Sequence, residues 1–144
     1  MKHKEIIISK SKDDVEKFRI ILHHEKKGDD SRTIDARTSR NGSLIVGGYD
    51  IGPIVEKYQG SLDYEYDASV AAEDKNALYA ALHKKLFDNH GKFRSWLEDN
   101  HIVDVESDFN IVLLLMIKKL GFFPHDFAAW AREQGIKVGF WSYP

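Results

Sequence analysis

The chain has no cysteine, which excludes disulfides, thiolate nucleophiles and thiolate metal sites together. Its longest apolar run, Ile111 to Ile117, spans seven residues, where a membrane-crossing helix needs about 20. Charge of one sign is lacking too. With 21 Lys+Arg against 23 Asp+Glu the formal charge is −2, too small for a global field toward nucleic acid or an anionic membrane. The first residues, MKHKEIIISKSKDD, fall short of a signal-peptide core, because the apolar run stops at Ile8. Asn41-Gly42-Ser43 fits a glycosylation acceptor, but without a secretory signal it reads as a turn, and the expected compartment is the cytosol.

What is present fits one domain over residues 1–144. Hydrophobic content of 42% and charged content of 31% are those of a globular chain, which at 144 residues buries roughly two thirds of its unfolded surface. Residues 1–71 read as a β-meander with one short helix. Lys4 to Ser9 is β-branched, and the polar stretch Lys10 to Asp14 breaks it. Phe18, Ile20 and Leu22 alternate along a second strand, Thr33 to Ser39 forms a third, and Asn41-Gly42 is a hairpin turn into Ser43 to Val46. Connections this short make the pairing antiparallel. Gly47-Gly48 and Gly52-Pro53 read as breaks on either side of Tyr49-Asp50-Ile51. Pro53 to Tyr58 forms a helix closed by Gly60. Leu62 to Val70 alternates cleanly, with Leu62, Tyr64, Tyr66, Ala68 and Val70 on one face and Asp63, Glu65, Asp67 and Ser69 on the other.

The second half is written twice. Asn76 to Phe109 aligns without a gap on Asn110 to Tyr143, placing Lys84-Lys85-Leu86 on Lys118-Lys119-Leu120, Phe93 on Phe127, and Trp96 on Trp130. The two copies predict a tandem duplicated helix–helix–strand unit, the strands being Ile102 to Val105 and Ile136 to Trp141. The expected fold is α+β, an antiparallel sheet with helices packed on one face.

Chemical signatures are few. GGYDIGP lacks the Lys-Ser/Thr of a phosphate loop and the full glycine pattern of a dinucleotide fingerprint. His23 and His24 would face opposite ways on a strand, and no spacing among the seven histidines matches a metal site. No nucleophile elbow marks a hydrolase, so no catalytic, metal or cofactor residue is expected. Phe93, Trp96, Phe127 and Trp130 read as packing anchors, while Trp141 and Tyr143 stay ambiguous. The one charged feature is acidic: from Glu56 to Asp74 six carboxylates face one base, Lys57. Asp63, Glu65 and Asp67 share a strand face, which reads either as a solvated surface or as a docking ridge for a basic protein.

DIGPIVEKYQGSLDYEYDASV and the closing FAAWAREQGIKVGFWS resemble a group of small bacterial proteins with an Asp-hydrophobic-Gly-Pro helix start, a Tyr-Glu-Tyr strand and a terminal Phe-Trp-Ser. The similarity covers Leu44 to Tyr143. It departs at Asp67, where an aromatic is usual, and in the doubled tail. Proteins of this kind often act as immunity proteins beside bacterial toxins. The resemblance implies a cytosolic binding protein of the immunity type that occludes a bacterial toxin. The acidic strand and the tyrosines beside it add the expectation of a basic toxin domain, with Tyr49, Asp50, Tyr58, Asp63, Glu65 and Asp67 as partner-binding residues. The alternatives are a regulatory or housekeeping domain without a toxin partner and a small enzyme without a recognisable signature.

Overall fold

The computed structural model describes residues 5–10, 16–61 and 63–143, so Lys4, Ser11 to Asp14 of the polar stretch, and Leu62 lie outside the described residues. Six strands form one antiparallel sheet in chain order: β1 (Ile6–Lys10), β2 (Glu16–Lys27), β3 (Asp30–Thr38), β4 (Leu44–Ile51), β5 (Asp63–Val70) and β6 (Gly139–Tyr143). The first five follow one another as a meander. The sixth returns from the end of the chain and pairs with β5. Between them come α1 (Pro53–Gln59), α2 (Lys75–Leu86), α3 (His90–Asp99), α4 (Phe109–Leu120) and α5 (Pro124–Glu133). The fold is α+β, as the periodicities predict.

Local chemistry sets most of the boundaries. At the β3–β4 turn Gly42 has φ 84°, and the Asn41 side-chain oxygen accepts from the Ser43 amide at 3.1 Å. Helix α1 starts on Pro53, with its Ile54 amide capped by Asp30 at 3.0 Å, and stops at Gly60, whose φ is 77°. Helix α5 ends in a Schellman motif: Gly135 adopts φ 80°, its amide bonds the Arg132 carbonyl at 3.0 Å, and the Ile136 amide bonds the Ala131 carbonyl at 3.1 Å.

The core lies between the sheet and the helices. Ile20, Ala36, Val46 and Ala68 stand in one cross-strand row, and all are fully buried. Over them lie α4 and α5, with α2 packed across α4. Helix α4 is buried from Val112 through Ile117, the all-round burial its composition requires. Ion pairs on this scaffold are mostly peripheral, such as Lys118 to Glu5 at 2.7 Å, and each is worth about 0–1 kcal/mol.

Three expectations are corrected. Gly47 and Gly48 do not break the strand; β4 runs through both and on to Ile51. The tandem helix–helix–strand unit is not supported. Helices of 12 and 10 residues do occur twice in succession, but Ile102 to Val105 is loop, with Val103 100% exposed. There Asp104 accepts from the Glu106 amide and the Ser107 hydroxyl, which favours a turn, and the free edge of β5 belongs to β6. The last strand begins at Gly139 rather than Ile136, because Ile136 is spent capping α5 and filling the core beneath it.

Candidate functional site

The period-two alternation of β5 divides the predicted partner-binding residues between two sides of the sheet. Tyr66, Ala68 and Val70 are buried under the helices, while Asp63, Glu65 and Asp67 point to the opposite face, where no described helix lies. The register brings Thr33, Tyr49, Glu65 and Tyr143 into one cross-strand row, and Asp35, Gly47, Asp67 and Trp141 into the next. On this open face Trp141 is 52% and Tyr143 56% exposed, with their rings stacked at 6.4 Å. Ile51 and Tyr49 extend the stripe along β4.

The acidic ridge is partly neutralised. Arg37 spans from Asp35 (2.7 Å) to Asp67 (2.8 Å), and Arg19 pairs with Asp35 at 2.6 Å. These two arginines and two aspartates cancel. Asp63 accepts from Ser61 at 3.0 Å and from the Tyr49 hydroxyl at 3.4 Å, and Glu65 is exposed, so the surplus charge of the face sits on Asp63 and Glu65. Burial works against the Arg37 charge, but Asp35 and Asp67 together outweigh it and hold the guanidinium above its ordinary range.

Asp50 and Tyr58 do not belong to this face, which corrects their predicted grouping. Asp50 pairs in register with Tyr64, one residue beyond the Tyr49–Glu65 row, so the strand period turns it toward the helices. There it is buried and accepts from the Arg32 Nε and Nη2 at 3.1 and 3.2 Å and from the Tyr66 hydroxyl at 3.1 Å. Tyr58, on α1, lines a cleft of about 320 Å³ whose floor is this Arg32–Asp50–Tyr66 cluster and whose far wall is the start of α5.

Gly47 and Gly48 make both arrangements possible. Consecutive residues face opposite ways, so each glycine serves one side of the sheet. A Cβ on Gly47 would lie 2.3 Å from an Asp67 oxygen and 2.6 Å from Arg37 Nη1. A Cβ on Gly48 would lie 2.1 Å from the Tyr66 ring. The glycines are the cut-outs through which Arg37 crosses β4 on one face and Tyr66 on the other.

Burial, then Asp50, raises the Tyr66 phenol above its ordinary 10.0. Because its folded pKa exceeds the unfolded one, its contribution to stability is complete below about pH 10 and is lost as pH rises further. Tyrosinate absorbance during an alkaline titration is expected to show a late phenol that is missing from Tyr66→Phe. A Tyr66→Phe titration superimposable on that of the parent protein would refute the assignment.

Sequence reasoning missed Arg32, whose partner Asp50 lies 18 residues away, and Arg37, which ties Asp35 two residues away to Asp67 thirty residues away, and it left Trp141 and Tyr143 undecided. Only the Gly-Gly inside a strand-like run was a usable signal, as a mark of close approach. Among the described residues no three His, Asp or Glu gather as a metal-binding group, and no helix is long and apolar enough to cross a membrane. Compared with family models, with curated proteins and with solved structures, the chain matches none.

Proposed function

We propose that this chain is a cytosolic binding protein that docks a basic protein partner on the open face of its sheet. The resemblance of its Asp-Ile-Gly-Pro, Tyr-Glu-Tyr and Phe-Trp-Ser segments to proteins of the immunity type extends the proposal: the partner is a toxin domain, neutralised by occlusion. One observation supports the reading most. Trp141, Tyr143, Tyr49 and Ile51 form an exposed stripe flanked by Asp63 and Glu65, on a face without a covering helix among the described residues. Interfaces concentrate Trp, Tyr and Arg at their centres, and Arg37 adds the third of these. The surplus carboxylates supply steering toward a basic surface.

The partner-binding set becomes Tyr49, Asp63, Glu65, Trp141 and Tyr143, with Asp67 engaged by Arg37. Asp63→Lys combined with Glu65→Lys is expected to slow association with a toxin domain encoded by a neighbouring reading frame by about tenfold or more at low salt. Trp141→Ala is expected to raise dissociation by about 30-fold, the effect of losing a central anchor worth about 2 kcal/mol. Surface plasmon resonance at two salt concentrations measures both. Unchanged rates in both variants would remove this face from the interface.

A further inference from the structure

The cleft beneath α1 lies on the other side of the sheet from the proposed docking face and is an independent feature. We propose that it binds a small, uncharged, planar aromatic ligand carrying a hydrogen-bond acceptor, of the aromatic amide or nucleobase type.

The floor decides the charge of the ligand. Among the described residues Asp50 is the only carboxylate lining the cleft, and three hydrogen bonds engage it: two from Arg32 and one from Tyr66. Arg32 answers its charge, so the floor is neutral as a unit. A cationic ligand would meet the Arg32 guanidinium, and an anionic one would compete with Asp50 for a fork already in use.

The remaining donors decide its polarity. A guanidinium has five N–H groups and no acceptor, and Asp50 occupies two of them. The side chain of Arg32 is 45% exposed, so the others can be reached from the cleft. Tyr58, Gln59, Tyr64 and His125 add further polar groups to the lining. The free guanidinium N–H groups can only donate, which favours a carbonyl or a heteroaromatic nitrogen on the ligand.

The walls decide its shape. Tyr64 lies 5.2 Å from Tyr66, Tyr66 stacks on His125 at 6.0 Å, and Phe123 stands at the helix entry. Ile54 and Val55 of α1 close the apolar side, although α1 has no buried residue of its own. Flat aromatic surface with a few convergent polar groups is the make-up of small-ligand sites, and about 320 Å³ is at the small end of their range, enough for one substituted ring.

Three probes with the same ring and different charge test the proposal: nicotinamide (neutral), nicotinate (anionic) and 1-methylnicotinamide (cationic). Saturation-transfer NMR is expected to show nicotinamide binding in the millimolar range, tighter than either charged analogue by about tenfold. Tyr64→Ala and His125→Ala, checked for unchanged circular dichroism, are each expected to abolish the signal. Trp141→Ala on the opposite face should leave it intact, which separates failure here from failure of the docking proposal. Absence of nicotinamide binding, equal binding of all three probes, tighter binding of a charged one, or a signal that survives both cleft variants would overturn the proposal.

Discussion

Gly48→Ala is expected to destabilise the protein by about 2–4 kcal/mol, although it adds one methyl group to a strand that alanine tolerates better than glycine. The new Cβ would stand 2.1–2.5 Å from three atoms of the Tyr66 side chain. That ring cannot easily yield. Its hydroxyl is bonded to Asp50, its face is stacked on His125, and the side chain is buried beneath the helices. Moving it breaks the hydrogen bond and leaves the buried Asp50 carboxylate one donor short, which costs about 1–3 kcal/mol beyond the overpacking itself. Denaturant unfolding measures the effect, and a double-mutant cycle assigns its cause. In a Tyr66→Ala background the clash is gone, so Gly48→Ala should reverse sign and stabilise by about 0.5–1 kcal/mol. Gly47→Ala is the companion control. Its Cβ would press on the tips of Asp67 and Arg37, flexible side chains at a partly exposed surface, so its cost should be about 1 kcal/mol. Equal costs at the two glycines, or no coupling to Tyr66, would contradict this account of the adjacent pair.

Phe127→Ala should cost about 3–5 kcal/mol and lower the melting temperature by on the order of 10 °C. Phe127 is fully buried on α5, beside the also buried Ala128, Trp130 and Ala131, and α5 lies on β4 and β5. Neighbours held on two sides cannot collapse into the space a benzyl group leaves, so a cavity term adds to the lost transfer energy. Phe93 occupies the aligned position in α3 and gives the contrast. It is the only buried residue of that helix, where its ring meets Phe87 and Trp96. Phe93→Ala should therefore cost less, and should release hydrogen-exchange protection in α3 alone while the sheet stays protected. Equal losses from the two substitutions, or global loss of protection in Phe93→Ala, would show that the aligned helices are equivalent in packing. The fold says that they are not.

That contrast shows where sequence reasoning stops. The alignment of Asn76–Phe109 on Asn110–Tyr143 carries the helix pairs, because helix length and apolar spacing are local properties. It does not carry the strands, because a strand exists only where a sheet edge accepts it. One edge of β5 was available and the last strand took it, leaving Ile102 to Val105 to be shaped by the turn chemistry of Asp104.

The sequence by itself determined the antiparallel meander, the helix starts at Pro53 and Pro124, the stops at Gly60 and Gly135, and the division of β5 into an apolar and an acidic face. Each follows from dihedral preferences and periodicities that act within a few residues. Only the tertiary structure decided that Asp67 is neutralised by Arg37, that Asp50 turns away from Glu65 to meet Arg32, and that Trp141 and Tyr143 complete the open face. The residues in those contacts lie 18 or more positions apart, and the tips that meet are set by register and by which side the helices cover. Composition is silent on both, since a shift of one residue would exchange the two faces.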